Sequence, residues 1–102
     1  MTTFREIEVS EAKAMIASGE AIIVDIRDPA SYEEAHIPNA VMVHQDNIEE
    51  FMKNTDKNKP LLCYCYHGMS SQMAADYFCQ NGFVKVHNLI GGFEEWRRLS
   101  AG

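Results

Sequence analysis

Long apolar runs are missing from this chain of 102 residues. No stretch approaches the roughly 18 apolar residues of a membrane span, and Arg5, Glu6, Glu8, Glu11 and Lys13 interrupt the first fifteen positions, so neither a spanning helix nor an apolar leader is expected. The expected compartment is the cytoplasm. Basic residues are also scarce, 9 against 15 acidic, for a net charge of -6. With no basic stripe, neither nucleic acid nor an anionic membrane surface is an expected partner. Cysteine is limited to three residues, an odd number in no disulfide-framework spacing, so reduced thiols are expected. Cys63, Cys65 and His67 lack the pair spacing and the fourth ligand of a structural zinc site, and no metal is expected.

What the chain does have is a 46% hydrophobic content, enough for one core, and a single domain over residues 1–102 is expected. Ala21 to Ile26 and Leu61 to Tyr64 are nearly continuous apolar runs, as in parallel strands covered on both faces. Ile7 and Val9 alternate with charge, and Val41 to Val43 and Val84 to Val86 read as short strands. Between them lie helical patterns. Ser10 is the expected cap of the first, which Gly19 ends. Asp28 caps and Pro29 opens the second, and Asp46 with Glu49 has the spacing of a capping box for the third. Met73, Ala74, Tyr77 and Phe78 mark the expected inner face of the fourth, and Phe93, Trp96 and Leu99 that of the last. Strands alternating with helices predict an α/β domain, a mainly parallel sheet of about five strands flanked by helices on both faces.

The stretch Cys65-Tyr66-His67-Gly68-Met69-Ser70-Ser71 falls where the Leu61 to Tyr64 strand turns into a helix. In open parallel sheets that edge opens into a ligand crevice. A free thiol is mostly protonated at neutral pH, whereas a helix amino terminus can bring its pKa down to roughly 3.5 to 7.5. Amides of Tyr66 through Ser71 curled around the sulfur would form an anion nest, with Gly68 able to take positive φ and Ser70 and Ser71 able to donate hydroxyl hydrogen bonds. The expected sulfur is exposed, anionic and ringed by main-chain donors.

Five landmarks in order, Asp25-Ile26-Arg27-Asp28, Tyr32-Glu33, His36-Ile37-Pro38-Asn39-Ala40, Cys65-Tyr66-His67-Gly68 and Gly91-Gly92-Phe93 with Trp96, resemble the rhodanese homology domain. In size and loop wording the chain is most similar to the short single-domain thiosulfate sulfurtransferases of the GlpE type. The resemblance implies a double displacement through a Cys65 persulfide: thiosulfate is the small-molecule donor, and cyanide, a dithiol or a thioredoxin-like protein the acceptor. It implies no cofactor. Loop residues Tyr66 to Ser71 would hold the persulfide, and Asp25 and Arg27 would brace the strand end. His36 is expected to fix its own turn by hydrogen bonding, and His67 to form loop wall.

Other readings stay open. A persulfide carrier serving a protein partner keeps the same nucleophile, and some rhodanese-like domains are silent binding modules, though these typically lack the loop cysteine. A phosphatase or arsenate reductase is disfavoured, because neither Ser71 nor Gln72 supplies the guanidinium a phosphoryl group requires. Ser70 stands where many rhodanese loops carry arginine or lysine, so no cation remains in this loop.

Overall fold

The computed structural model describes residues 3–100, so the ends of the domain expected over 1–102 lie outside the described residues. The strands are β1 (Arg5–Ile7), β2 (Ile22–Asp25), β3 (Val41–Met42), β4 (Leu61–Tyr64) and β5 (Val86–Leu89). The helices are α1 (Val9–Ser18), α2 (Pro29–Glu34), α3 (Ile48–Lys53), α4 (Ser70–Gln80) and α5 (Gly92–Ser100). The sheet order is β1-β5-β4-β2-β3 and every pairing is parallel, so all strand ends open on the same edge. This is the predicted α/β domain.

Period-two alternation sorts the strand residues between two cores. Ile23, Leu62, Tyr64 and Leu89 pack with Val9 and Ala12 of α1 and Phe93 of α5. Val24, Leu61, Cys63 and Val86 pack on the opposite side with Met52 of α3 and with Ala75, Phe78 and Cys79 of α4. β4, in the middle of the sheet, is buried at all four residues, which explains its unbroken apolar run.

Several local expectations are corrected by these contacts. The cap of α1 is Glu8 in extended backbone, not Ser10, because Val9 is already helical and buried. Asn47, not Asp46, precedes α3. Its side chain accepts from the His44 amide at 2.8 Å and donates to the Met42 carbonyl at 3.0 Å, a local turn that replaces the capping box. The last strand begins at Val86, since Phe83 is buried while Val84 and Lys85 stay exposed, and the chain pairs with Leu61 only from Val86 onward. Met73 is 79% exposed and Tyr77 is also exposed, whereas Ser71, Ala75, Phe78 and Cys79 form the buried stripe of α4. Leu99 lies beyond the core and is exposed, although Phe93 is buried and Trp96 packs beside it. Asp28 does cap α2, accepting from the Ser31 amide at 3.0 Å, with Pro29 first in the helix.

Candidate active site

Cys65 follows directly on β4 and α4 begins five residues later, so its side chain lies at the carboxyl edge of the sheet. Its Sγ accepts from the Gly68 amide at 3.1 Å and the Ser71 amide at 3.3 Å, and the Ser71 hydroxyl lies 3.2 Å away. The amino end of α4 therefore points at the sulfur. The residue is only 4% exposed, so the expectation of an exposed sulfur is corrected: Cys65 is buried beneath its loop. Burial pushes the thiol up. Hydrogen bonds from the loop, that of the Ser70 hydroxyl the largest, outweigh that effect and bring it down to about 7.

The loop's conformation is set from below by the amino end of α5. Phe93 donates its amide to the Cys65 carbonyl at 2.8 Å and Glu94 donates to the Tyr66 carbonyl at 3.0 Å, so the amino end of α5 draws these carbonyls outward. With the carbonyls turned out, the amides that follow can face the sulfur. Gly92 makes this approach possible: a Cβ there would press on the Cys65 carbonyl oxygen and come within 2.7 Å of Tyr66 backbone. Gly68, at φ +88, likewise has no room for a side chain, with the Leu89 carbonyl oxygen 2.9 Å from where a Cβ would be. These two contacts give the Gly91-Gly92-Phe93 landmark a physical reason.

Asp25 and Arg27 form a buried brace beside this loop. Nε and Nη2 of Arg27 donate to the Asp25 carboxylate at 2.8 to 3.2 Å, and Nη2 also reaches the Ala35 carbonyl at 2.6 Å. The Tyr64 hydroxyl donates to Asp25 at 2.6 Å and accepts from the Ile37 amide at 3.1 Å. Burial raises the Tyr64 pKa, and its bond to Asp25 raises it further. The guanidinium lies 4.2 Å from the Phe93 ring centroid and 5.8 Å from that of Tyr66, so Arg27 supports the loop from the side.

The remaining predicted residues divide clearly. Tyr66 and His67 are exposed and tilted against each other with centroids 5.3 Å apart, Met69 is 72% exposed, and Ser70 opens α4 at the surface. His36 is exposed, stacked on Tyr32 at 4.0 Å with its Nδ1 2.8 Å from the Tyr32 carbonyl, and so belongs to the α2 turn. Asn88 was not anticipated. It is buried in β5, accepts from the Ser71 hydroxyl at 2.5 Å, and donates to the Gly68 carbonyl at 3.1 Å and to Glu6 at 2.9 Å. The available signal was a strand-averse amide in the run Val86-His87-Asn88-Leu89.

A buried thiol with a depressed pKa, met by amides where a central parallel strand enters its helix, defines a class of α/β domain built around a cysteine loop. The Rhodanese-like domain model matches residues 8–99, and the chain belongs to that family. It is 44% identical over 97 residues to a thiosulfate sulfurtransferase GlpE of Pseudomonas syringae, covering 95% of this chain and 91% of that protein. A thiosulfate sulfurtransferase GlpE of Coxiella burnetii is 43% identical over 94 residues, covering 92% and 88%. In fold it is similar to a human single-domain sulfurtransferase, with a TM-score of 0.85 at 18% identity over 94% of this chain and 97% of that one.

Proposed function

We propose that this protein is a thiosulfate sulfurtransferase with Cys65 as its nucleophile. The observation that carries the reading is the pair of amides, Gly68 and Ser71, directed at a sulfur whose pKa lies at about 7. The Cys65 thiolate attacks the outer sulfur of thiosulfate. A new S–S bond forms to Cys65 as the bond to the sulfonate sulfur breaks, and sulfite departs with the electron pair. Because the leaving group is already an anion, no general acid is required, which agrees with an exposed His67 outside the sulfur's hydrogen bonds. The persulfide is anionic, and the loop amides receive its charge as an oxyanion hole receives that of a tetrahedral intermediate.

A thiophilic acceptor, cyanide or a dithiol such as that of a thioredoxin-like protein, then attacks the terminal sulfur and regenerates the thiolate. Such a cycle gives ping-pong kinetics. Tyr66, His67, Met69 and Ser70 form the exposed rim that donor and acceptor meet, while Gly68 and Ser71 hold the sulfur beneath it. Asp25 and Arg27 keep the rim in place and His36 serves only its turn. The reaction runs in the cytoplasm and on the protein's own thiol. Intact-protein mass spectrometry after thiosulfate treatment tests this: one added sulfur, removed by reductant and absent in Cys65→Ala, is expected. Sulfur uptake that persists in that variant would place the chemistry on Cys63 or Cys79.

A further inference from the structure

The Ser71 hydroxyl has one proton and two neighbours that could accept it, Asn88 Oδ1 at 2.5 Å and Cys65 Sγ at 3.2 Å. The orientation of the Asn88 amide is determined by its other contacts. Its nitrogen lies 3.1 Å from the Gly68 carbonyl oxygen and 2.9 Å from the Glu6 carboxylate, both acceptors only, so Oδ1 must be the atom that faces Ser71. Two oxygens at 2.5 Å need a proton between them. The shorter contact thus takes the Ser71 proton and leaves an oxygen lone pair facing the sulfur.

We infer that Asn88 is a positioning residue that claims the Ser71 hydroxyl proton in competition with the Cys65 sulfur. This rests on the reading of Cys65 as the nucleophile. In the thiol form every group is satisfied, with S–H donating to Ser71 Oγ and Oγ–H donating to Asn88. When the thiol releases its proton to solvent, one of two costs follows. Either the Ser71 proton turns to the thiolate and leaves two oxygens in contact, or it stays and the thiolate faces an oxygen. In the persulfide the charge has moved to the outer sulfur, Sγ is neutral, and the conflict disappears. Asn88 therefore weights the site towards the sulfur-loaded state and leaves the free thiolate more basic, and so more nucleophilic, than its amides alone would make it.

Titratable groups on the surrounding elements include Asp25 at the end of β2 and Arg27 beyond it, Tyr64 on β4, Tyr66 and His67 in the loop, Glu6 on β1, His87 on β5, Asp76 on α4, and Glu94 and Arg97 on α5. None of them is hydrogen-bonded to Sγ, and Arg27 is committed to Asp25. Glu6 also accepts from Gln72 at 3.1 Å, so the strut that orients Asn88 reaches from β1 to the first turn of α4.

The test is the pH dependence of iodoacetamide alkylation at Cys65, read by peptide mass spectrometry in the full chain, which needs no sulfur donor. Asn88→Leu keeps the branching of the side chain, though it is larger, and removes the competing acceptor. Its midpoint is expected to fall by about half a unit, an about threefold larger thiolate fraction at any pH below both midpoints. Adding Ser71→Ala should cancel that fall, the coupling expected of a shared proton. Ser71→Ala alone should not raise the midpoint. A purely structural anchor predicts the opposite sign, because a loosened loop loses its amide donors and the midpoint rises. A rise in Asn88→Leu, no change, or a fall that survives Ser71→Ala would overturn the assignment. If Asn88→Leu does not fold, Ser71→Ala decides: a raised midpoint overturns it and an unmoved or lowered one supports it. Absence of thiosulfate turnover with these shifts intact would remove the sulfurtransferase reading and leave the proton competition standing.

Discussion

Two thiols two residues apart, Cys63 inside β4 and Cys65 just past its end, behave in opposite ways. Both are buried, at 0% and 4% exposure. Cys63 packs among Val24, Ala75 and Phe78, and burial followed by the neighbouring Cys79 pushes its pKa well up. Cys65 lies just beyond the strand, and its thiol is brought down to about 7. Cys63 is the more fully enclosed, and burial is the main cause of its rise, whereas at Cys65 hydrogen bonds outweigh burial. In the strand interior the backbone amides are spent on the ladder, whereas past the strand end they are free until α4 starts, and there they turn to the sulfur. A reactive cysteine here is one placed where the sheet runs out of partners.

The sharpest way to break the comparison is to exchange the consequences of losing each thiol. Cys65→Ala is expected to abolish thiosulfate turnover, while Cys63→Ala keeps it and loses about 1 kcal/mol of stability to the cavity left behind, measured by urea unfolding. Comparable loss of turnover in both variants would show that position relative to the strand end is not what matters.

Next in size is the support beneath the loop. Gly92→Ala places a Cβ against the Cys65 carbonyl and Tyr66 backbone at φ +60, with no flexible side chain to yield. A destabilisation of about 3 kcal/mol is expected in the same unfolding measurement, with activity reduced further than stability alone explains. A variant with unaltered turnover would show that α5 does not shape the anion nest.

Ionisation sharpens the contrast further. Alkylation of Cys65 should rise about tenfold per unit as pH climbs towards about 7 and then level off, while Cys63 stays unreactive across that range. The folded-state pKa lies below the ordinary thiol value of 9.0. The thiolate's contribution to stability is thus fully present above that value and is lost as pH falls through about 7. An alkylation midpoint at the ordinary value would mean the amides do not stabilise the charge.

The smallest expected effect concerns the rim. Ser70 is exposed at the first position of α4 and brings no charge of its own to an incoming oxyanion. Ser70→Arg should lower KM for thiosulfate about threefold with little change in kcat, a gain of a surface ion contact. Unchanged or weaker affinity would show that the missing cation is not what limits donor binding.

Much of the fold was legible because both faces of β2 and β4 are covered, and such strands can be apolar throughout. The loop was legible for a related reason: Cys65 before a glycine and two serines, between a strand and a helix, has a narrow range of physical uses. What escaped is instructive residue by residue. Met73 and Tyr77 have helical spacing on α4, but spacing leaves the choice of inner stripe open, and Ser71, held by Asn88 beneath the sulfur, shares the inner stripe with Ala75 and Cys79. Ser10 and Asp46 had the chemistry of caps. Val9 entering the core and Asn47 closing its own turn took those places instead.

Local sequence alone determined the alternation of strands and helices, the central place of the Leu61 to Tyr64 run, and the position of a cysteine at its carboxyl end. Those features follow from periodicity and from backbone preferences that act within a few residues. Tertiary structure decided how deep the sulfur sits, that the amino end of α5 holds the Cys65 and Tyr66 carbonyls, that Tyr64 reaches across to Asp25, and that Asn88 accepts from Ser71. Each of these needs groups from β1, β2, β5 or α5 that are remote in the chain, and a hydrogen bond is specified by where both partners stand.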